Sequence, residues 1–345
     1  MKALVYRGPG LPVVEDRPKP VVRDPGDAVV RMTRTTICGT DLHILRGDVA
    51  TCKPGRILGH EGIGVVESVG VAVAGFRPGD AVIVSCISSC GKCDYCRRGM
   101  YSHCRTGGWI LGNEIDGTLA DSVRIPHADT SLYLVPKGAN EESMVMLSDI
   151  LPTGYECGVL NGRVAPGSTV AVVGCGPIGL ATLLTAKLFS PADIIAIDID
   201  EARLEAARRF GATHSVNSTD GGAAKAVMGM TGGIGVDTAS EAVGIPATFL
   251  LCQDIVAPGG TIANIGVHGE KVELHLERLW SHNVTIATRL VDTVSTPMLL
   301  KSVQSGAIDP SLLASHRFHF GRILEAWDAF AHAAKTHALK VVVEM

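Results

Sequence analysis

The chain has 345 residues, with 31 basic against 35 acidic side chains and a formal net charge of −4 at pH 7. It is longer than the roughly 250–300 residues at which single cores stop growing, so two domains are expected. So even a charge balance lacks the basic excess that draws a protein to nucleic acid or to an anionic membrane, and neither is expected as a partner.

The first run, Met1-Lys-Ala-Leu-Val-Tyr6-Arg7, is too short in apolar residues for a signal peptide and reads as a β-strand. The most apolar region, residues 177–186, is stopped by Lys187, short of the roughly 18 apolar residues of a membrane span. A soluble, cytoplasmic protein is expected. Ten cysteines without an export signal favour metal or catalytic roles over a disulfide scaffold.

From residue 1 to about 135, short β-type runs (28–32, 64–69, 80–84, 120–125) are separated by turns such as Arg77-Pro-Gly-Asp80. This is the pattern of an all-β barrel or sandwich. From Ser168 the pattern changes, with strands at 168–173, 193–198, 236–239, 260–265 and 284–288 alternating with helices at 177–189, 201–210 and 246–256. Such alternation calls for a parallel, doubly wound α/β sheet. The tail carries helical segments at 298–305 and 323–334 and ends on Leu339-Lys-Val-Val-Val343, an apolar strand that must pair with another.

Gly174-Cys-Gly176-Pro177-Ile178-Gly179 follows a strand and opens a helix, the context in which such a turn seats a pyrophosphate. The first glycine permits the turn, the second lets phosphate approach the backbone, and the third lets helix and strand pack closely. Asp198 ends the next strand, 19 residues after Gly179, where a carboxylate accepts from the ribose hydroxyls and repels a 2′-phosphate. NAD rather than NADP is expected. Arg203, one turn into the next helix, is placed to reach the same ribose; taken singly, Asp198 also reads as a helix cap.

Cys90, Cys93, Cys96 and Cys104, spaced x2, x2 and x7, suit a closed tetrahedral site, which is structural because no position is left for substrate. The rival is an iron–sulfur cluster, whose fourth cysteine comes after x3 and precedes proline; here it comes after x7 and precedes Arg105, so zinc is favoured. Cys86 reads as a spare thiol buried in the preceding strand. Cys38 and His60 sit at strand-to-loop transitions. Thr40 and His43 follow Cys38 at spacings that suit a hydroxyl-to-imidazole proton relay, and Glu61 adjoins His60.

Together, Cys38-Gly-Thr-Asp-Leu-His43, Gly59-His60-Glu61-Gly-x-Gly64, the 90–104 loop and the glycine turn resemble the zinc-containing medium-chain alcohol dehydrogenases, from end to end and in the family's order. The resemblance implies a GroES-like β-rich catalytic domain (1–150 and 291–345) and a Rossmann NAD-binding domain (151–290). It implies Cys38 and His60 as ligands of a catalytic zinc, with the third ligand position falling at Asp149 in Leu147-Ser-Asp149-Ile-Leu-Pro-Thr153-Gly-Tyr155. Read from the residues alone, Asp149 serves equally as a helix cap. The matching Thr153, which approaches the nicotinamide in the family, favours the ligand reading. An Asp at this position is similar to a microbial branch that acts on short primary or secondary alcohols. Gly39 departs from the basic residue that many relatives direct at the pyrophosphate, which shifts that expectation to Lys340. Trp109 falls where the branch often has an aromatic lining the substrate pocket, and it is equally a core filler; Leu290 and Thr40 complete the expected pocket.

The implied activity is zinc- and NAD-dependent oxidation of short- or medium-chain alcohols to aldehydes or ketones, with two zinc ions per chain, one catalytic and one structural. Relatives assemble as tetramers or dimers, so a homotetramer is expected, with a homodimer as the alternative. The competing readings are a polyol, 2,3-butanediol or glutathione-linked formaldehyde dehydrogenase on the same site, and a non-enzymatic, zinc-stabilised NAD-binding protein.

Overall fold

The strand Ala28–Ile37 is dense in β-branched side chains and forms the spine of a seven-stranded sheet in the computed structural model, which describes residues 1–345. Along the sheet lie Ala314–His319, Lys340–Glu344, Ala28–Ile37, Gly62–Val69, Ala81–Val84 and Leu132–Leu134, and Ser122–Ile125 also pairs with the spine. The apolar tail finds its partners here. Lys340–Glu344 runs antiparallel to the spine, Val341 opposite Ile37, and parallel to Ala314–His319. That register delivers Lys340 to the end of the spine, where Cys38 follows. A smaller sheet of Pro12–Asp16, Lys2–Tyr6 and Arg56–Ile57 adjoins it. This unit comprises Met1–Asp149 and Asp292–Met345.

The second unit is Ile150–Val291. Its strands are β1 (Thr169–Val173), β2 (Asp193–Asp198), β3 (His214–Asn217), β4 (Val236–Glu241), β5 (Val256–Asn264) and β6 (Thr285–Thr288). They are parallel throughout and ordered β3-β2-β1-β4-β5-β6, the doubly wound arrangement of a dinucleotide fold. Val, Ile and Ala fill them because a parallel sheet is covered on both faces. The sheet and its helices share one apolar core, including Ile195, Ile197, Val227, Phe249 and Ile262. The π-helical segment Gly154–Leu160 lies against the helix Pro177–Ala186. A Cβ on Gly154 would fall 2.7 Å from the Ala181 carbonyl carbon, and one on Gly158 2.5 Å from Thr182 Cγ2. Glycines four apart therefore set how closely the two helices approach.

Several elements lie outside the sequence reading, and three of them bear on the two units. The helix Gly39–Arg46 interrupts the β-rich half, and β3 and the helix Ala223–Met230 extend the second unit. Each is short, so its periodicity carries little signal. The first is set by its ends: Asp41 caps the Cys38 backbone, and Gly47 closes the helix with a φ of 87°. No helix is long and apolar enough to cross a membrane.

Candidate active site

Cys38 enters the site at the turn from the spine strand into the helix Gly39–Arg46. Asp41 fixes that turn, because its buried carboxylate accepts from Cys38 N (2.9 Å) and, through its other oxygen, from Gly59 N (3.3 Å). One acidic side chain thus ties the Cys38 turn to the segment that carries His60. Gly59 adopts a φ of 91°, and a Cβ there would fall 2.8 Å from Leu119 N and Thr118 Oγ1. Only glycine fits that turn.

Asp149, the last residue of the first unit's first segment, reaches the same place. Its Oδ2 lies 3.5 Å from His60 Nε2 and 3.8 Å from Cys38 Sγ. Donor atoms of Cys38, His60, Glu61 and Asp149 all lie within 4.8 Å of one another. Burial opposes charge on His60, but hydrogen bonding to Asp149 and Cys38 outweighs it and pushes the imidazole well above 6.5. The cluster therefore favours a positive charge at its centre, and its sulfur, nitrogen and oxygen donors are those of a borderline-soft divalent metal. The residues fit zinc. His60 Nδ1 is buried without a hydrogen-bond partner, 3.8 Å from Asp41 Oδ1.

Glu61 is wholly buried, and its carboxylate is held on both sides. Oε1 meets Lys340 Nζ at 2.5 Å, and Oε2 accepts from Thr36 Oγ1 at 2.6 Å. Burial disfavours charge on Lys340, yet attraction to Glu61 and Cys38 raises its pKa. Lys340 is 1% exposed and also donates to Ile37 O at 3.4 Å, so its ammonium is directed at Glu61 rather than open to an anion in solution.

Thr40 Oγ1 lies 3.8 Å from Cys38 Sγ. His43 is half-buried, with Nδ1 3.0 Å from Asp48 Oδ2, so the imidazole is oriented by a carboxylate rather than by Thr40. Trp109 stands edge-on to the His60 ring, with centroids 6.4 Å apart. It joins the core and flanks the donor cluster at once. Leu290 belongs to the second unit and is 46% exposed.

Cys86 is not a spare. Buried just beyond the strand Ala81–Val84, its Sγ lies 3.4 Å from Asp149 Oδ1. Asp41, Thr36 and Cys86 all contact the cluster's residues and were missed as site residues by sequence reasoning. Only Asp41 had a local signal, an acid three residues after the residue preceding a helix.

The four-cysteine loop also closes on itself. Cys90 Sγ and Cys96 Sγ lie 4.0 Å apart, Cys90 N donates to Cys104 Sγ at 3.2 Å, and Cys96 N donates to Cys93 Sγ at 3.5 Å. Backbone N–H groups of Arg105 and Cys96 bring the Cys93 thiol down to about 6. Thiolates held by backbone donors are ready metal ligands.

In the second unit, Gly174 takes a φ of 97°, and a Cβ on Gly179 would lie 1.8 Å from Gly174 O. A Cβ on Gly176 would meet nothing within 4 Å, so the backbone there is open to an approaching phosphate. Gly176 begins the helix Pro177–Ala186 without a side-chain cap, leaving the first N–H groups after Pro177, which has none, to an anion. Asp198 Oδ2 accepts from Cys175 N at 2.6 Å, and Oδ1 accepts from Ile199 N and Asp200 N at 2.8 and 3.0 Å. The capping role falls to Asp200, whose side chain accepts from Ala202 N and Arg203 N. Arg203 lies half-buried in that helix's first turn, and Thr153 ends the helix Ile150–Thr153. The seat fits a dinucleotide.

Residues 24–137 match the family "Alcohol dehydrogenase GroES-like domain", and residues 177–302 match "Zinc-binding dehydrogenase". An alcohol dehydrogenase of Cupriavidus necator is 36% identical across the whole of this chain and 98% of its own. Among solved structures, zinc dependent alcohol dehydrogenase 2 from Streptococcus pneumonia is 53% identical, with a TM-score of 0.96 over 100% of this chain and 98% of that one. Alcohol dehydrogenase TADH from Thermus sp. ATN1 is 32% identical, with a TM-score of 0.92 over 100% and 99%.

Proposed function

This chain belongs to the zinc-dependent alcohol dehydrogenases, oxidoreductases of small molecules, and from that premise we propose that it interconverts short- or medium-chain primary or secondary alcohols with their aldehydes or ketones, using NAD. The convergence of Cys38, His60 and Asp149 on one point carries this reading. Zinc held there supplies a Lewis acid that lowers the pKa of a hydroxyl, and NAD supplies the hydride acceptor.

The chain's own residues do the rest. Cys38, His60 and Asp149 hold the catalytic zinc, while Cys90, Cys93, Cys96 and Cys104 hold the structural one. The Thr40 hydroxyl, beside Cys38, accepts the substrate's hydroxyl proton as it releases its own, and half-buried His43, oriented by Asp48, passes a proton on to solvent. Glu61, its charge balanced by Lys340, sets the field beside His60 without adding a free negative charge. Trp109 supplies an apolar, water-excluding wall against His60, and Thr40 lines the same pocket. Gly174, Gly176, Pro177, Ile178 and Gly179 receive the pyrophosphate, Asp198 and Arg203 the adenosine ribose, and Thr153 the nicotinamide. The first unit is the catalytic domain and the second the NAD-binding domain.

We also place the enzyme in the cytoplasm, as a homotetramer or, alternatively, a homodimer; Val267, Leu276 and Trp280 on the second unit, 62%, 58% and 78% exposed, support self-association. Sedimentation velocity reads the assembly directly. The activity is tested by following NADH formation over a panel of alcohols, with zinc measured on the same sample. Two zinc ions per chain and turnover of a short alcohol are expected; full zinc occupancy with no turnover of any alcohol sinks the proposal.

A further inference from the structure

Asp149 is an unusual donor to rely on. A carboxylate with both oxygens free swings between presenting one oxygen and presenting two, and the short Asp side chain has little reach with which to correct a misplaced backbone. In this chain the two oxygens are divided. Oδ2 faces His60 Nε2 (3.5 Å) and Cys38 Sγ (3.8 Å). Oδ1 faces the Cys86 thiol (3.4 Å), which is not among the four converging donors. The backbone repeats the same clasp. Cys86 N donates to Ser148 O at 3.0 Å, so one residue grips two successive residues of the segment that carries the donor.

Ser148 closes the loop. Its hydroxyl accepts from Gly62 N at 3.1 Å and donates to Gly62 O at 3.0 Å, joining the segment to the strand that starts just after His60 and Glu61. Ser148 is fully buried and Cys86 is 2% exposed, so water does not compete for these bonds. Gly62 admits no side chain, since a Cβ would lie 2.3 Å from Met32 Cε and 3.0 Å from Arg34 O. Ser148 therefore meets bare backbone. Three segments far apart in sequence are locked in one register by polar bonds that involve no metal.

We propose that Cys86 is a positioning residue: its thiol donates to Asp149 Oδ1 and so presents Oδ2 alone to the catalytic metal. Partners that orient a ligand from behind typically govern affinity by about 10- to 100-fold. The proposal rests on the reading of Asp149 as a metal donor, and the test separates the two. Zinc affinity is measured by competition with a chromophoric chelator, and the cobalt(II)-substituted protein's visible spectrum is recorded, for the wild type and for Asp149→Ala, Cys86→Ser and Cys86→Val.

Cys86→Val fills the site, with one more heavy atom than the thiol, and loses the donor; Cys86→Ser keeps a donor. The expected result is that Asp149→Ala and Cys86→Val each weaken the catalytic metal by about tenfold or more and shift the cobalt bands. Cys86→Ser should stay within about threefold of wild type, and the four-cysteine metal should be retained throughout. Should Cys86→Val lose the four-cysteine metal too, Cys86→Ala takes its place and is read in the same way. Wild-type affinity and spectrum in the donor-free variant, or equal losses in the serine and donor-free variants, overturn the positioning role while leaving Asp149 as a ligand. Unchanged affinity in Asp149→Ala overturns the ligand reading itself, and the positioning role with it.

Discussion

Lys340→Met isolates the contribution of the buried ion pair behind the metal cluster. Lys340 and Glu61 are 1% and 0% exposed, with Nζ 2.5 Å from Oε1. Removing the ammonium leaves the carboxylate with Thr36 Oγ1 as its remaining side-chain donor, in a place water does not reach. Breaking a buried pair on one side costs about 3–5 kcal/mol, most of it the cost of the stranded charge. For a domain of this size roughly 2–4 °C of Tm accompanies each kcal/mol, so a fall of about 6–20 °C is expected. Removing both charges with Glu61→Gln/Lys340→Met should recover more than half of that loss. The coupling between two touching residues is what the double-mutant cycle reads. The assay is the thermal midpoint of the zinc-loaded chain followed by circular dichroism. Lys2→Met serves as the control, because the Lys2–Asp16 pair is 57% and 75% exposed and is screened by solvent. A Lys340→Met midpoint no lower than that control, or a double variant as unstable as the single one, would refute the reasoning.

Three further outcomes are expected. Cys38→Ser should lower zinc content from two ions per chain to one, abolish alcohol oxidation and leave NADH binding, read by fluorescence, within about twofold; a variant that turns over normally contradicts the assignment. Asp198→Gly removes a carboxylate that holds three backbone N–H groups, so KM for NAD should rise about tenfold or more and the preference should relax toward NADP. Wild type that reduces NADP as readily as NAD shows the Asp198 reading to be wrong. Glu142 pairs with Arg317, with Oε2 2.7 Å from Nη2, and hydrogen bonding to that guanidinium holds the carboxyl below 4.5. A carboxyl lowered by folding stabilises the native state above its unfolded value, and that contribution fades as pH falls through the folded one. Arg317 is half-exposed, so the difference in stability between wild type and Arg317→Gln should be at most about 1 kcal/mol at pH 7 and should shrink below pH 4.5. A difference that grows on acidification rules out the pair as its source.

The sequence by itself determined the features whose chemistry is local. The turn Gly174–Gly179 is legible because its constraint, a Cβ of Gly179 against Gly174 O, acts across five residues. The four cysteines are legible because one short loop carries all of them. The change from β-type runs to alternating strands and helices announced two architectures, since side-chain period reports which face of each element is buried. Tertiary structure decided what lies far apart along the chain. Asp149 meets Cys38 across 111 residues, Lys340 meets Glu61 across 279, and Cys86 meets Asp149 across 63. Taken singly, Asp149 reads equally as a helix cap, Cys86 as a buried thiol and Lys340 as a cation awaiting phosphate. Their roles come from strand pairing, above all the tail's register on Ala28–Ile37, and no local pattern encodes which distant strand that tail will join. A cluster that concentrates charge must also bury and balance it, and the groups that do so are recruited from wherever the fold brings a backbone close.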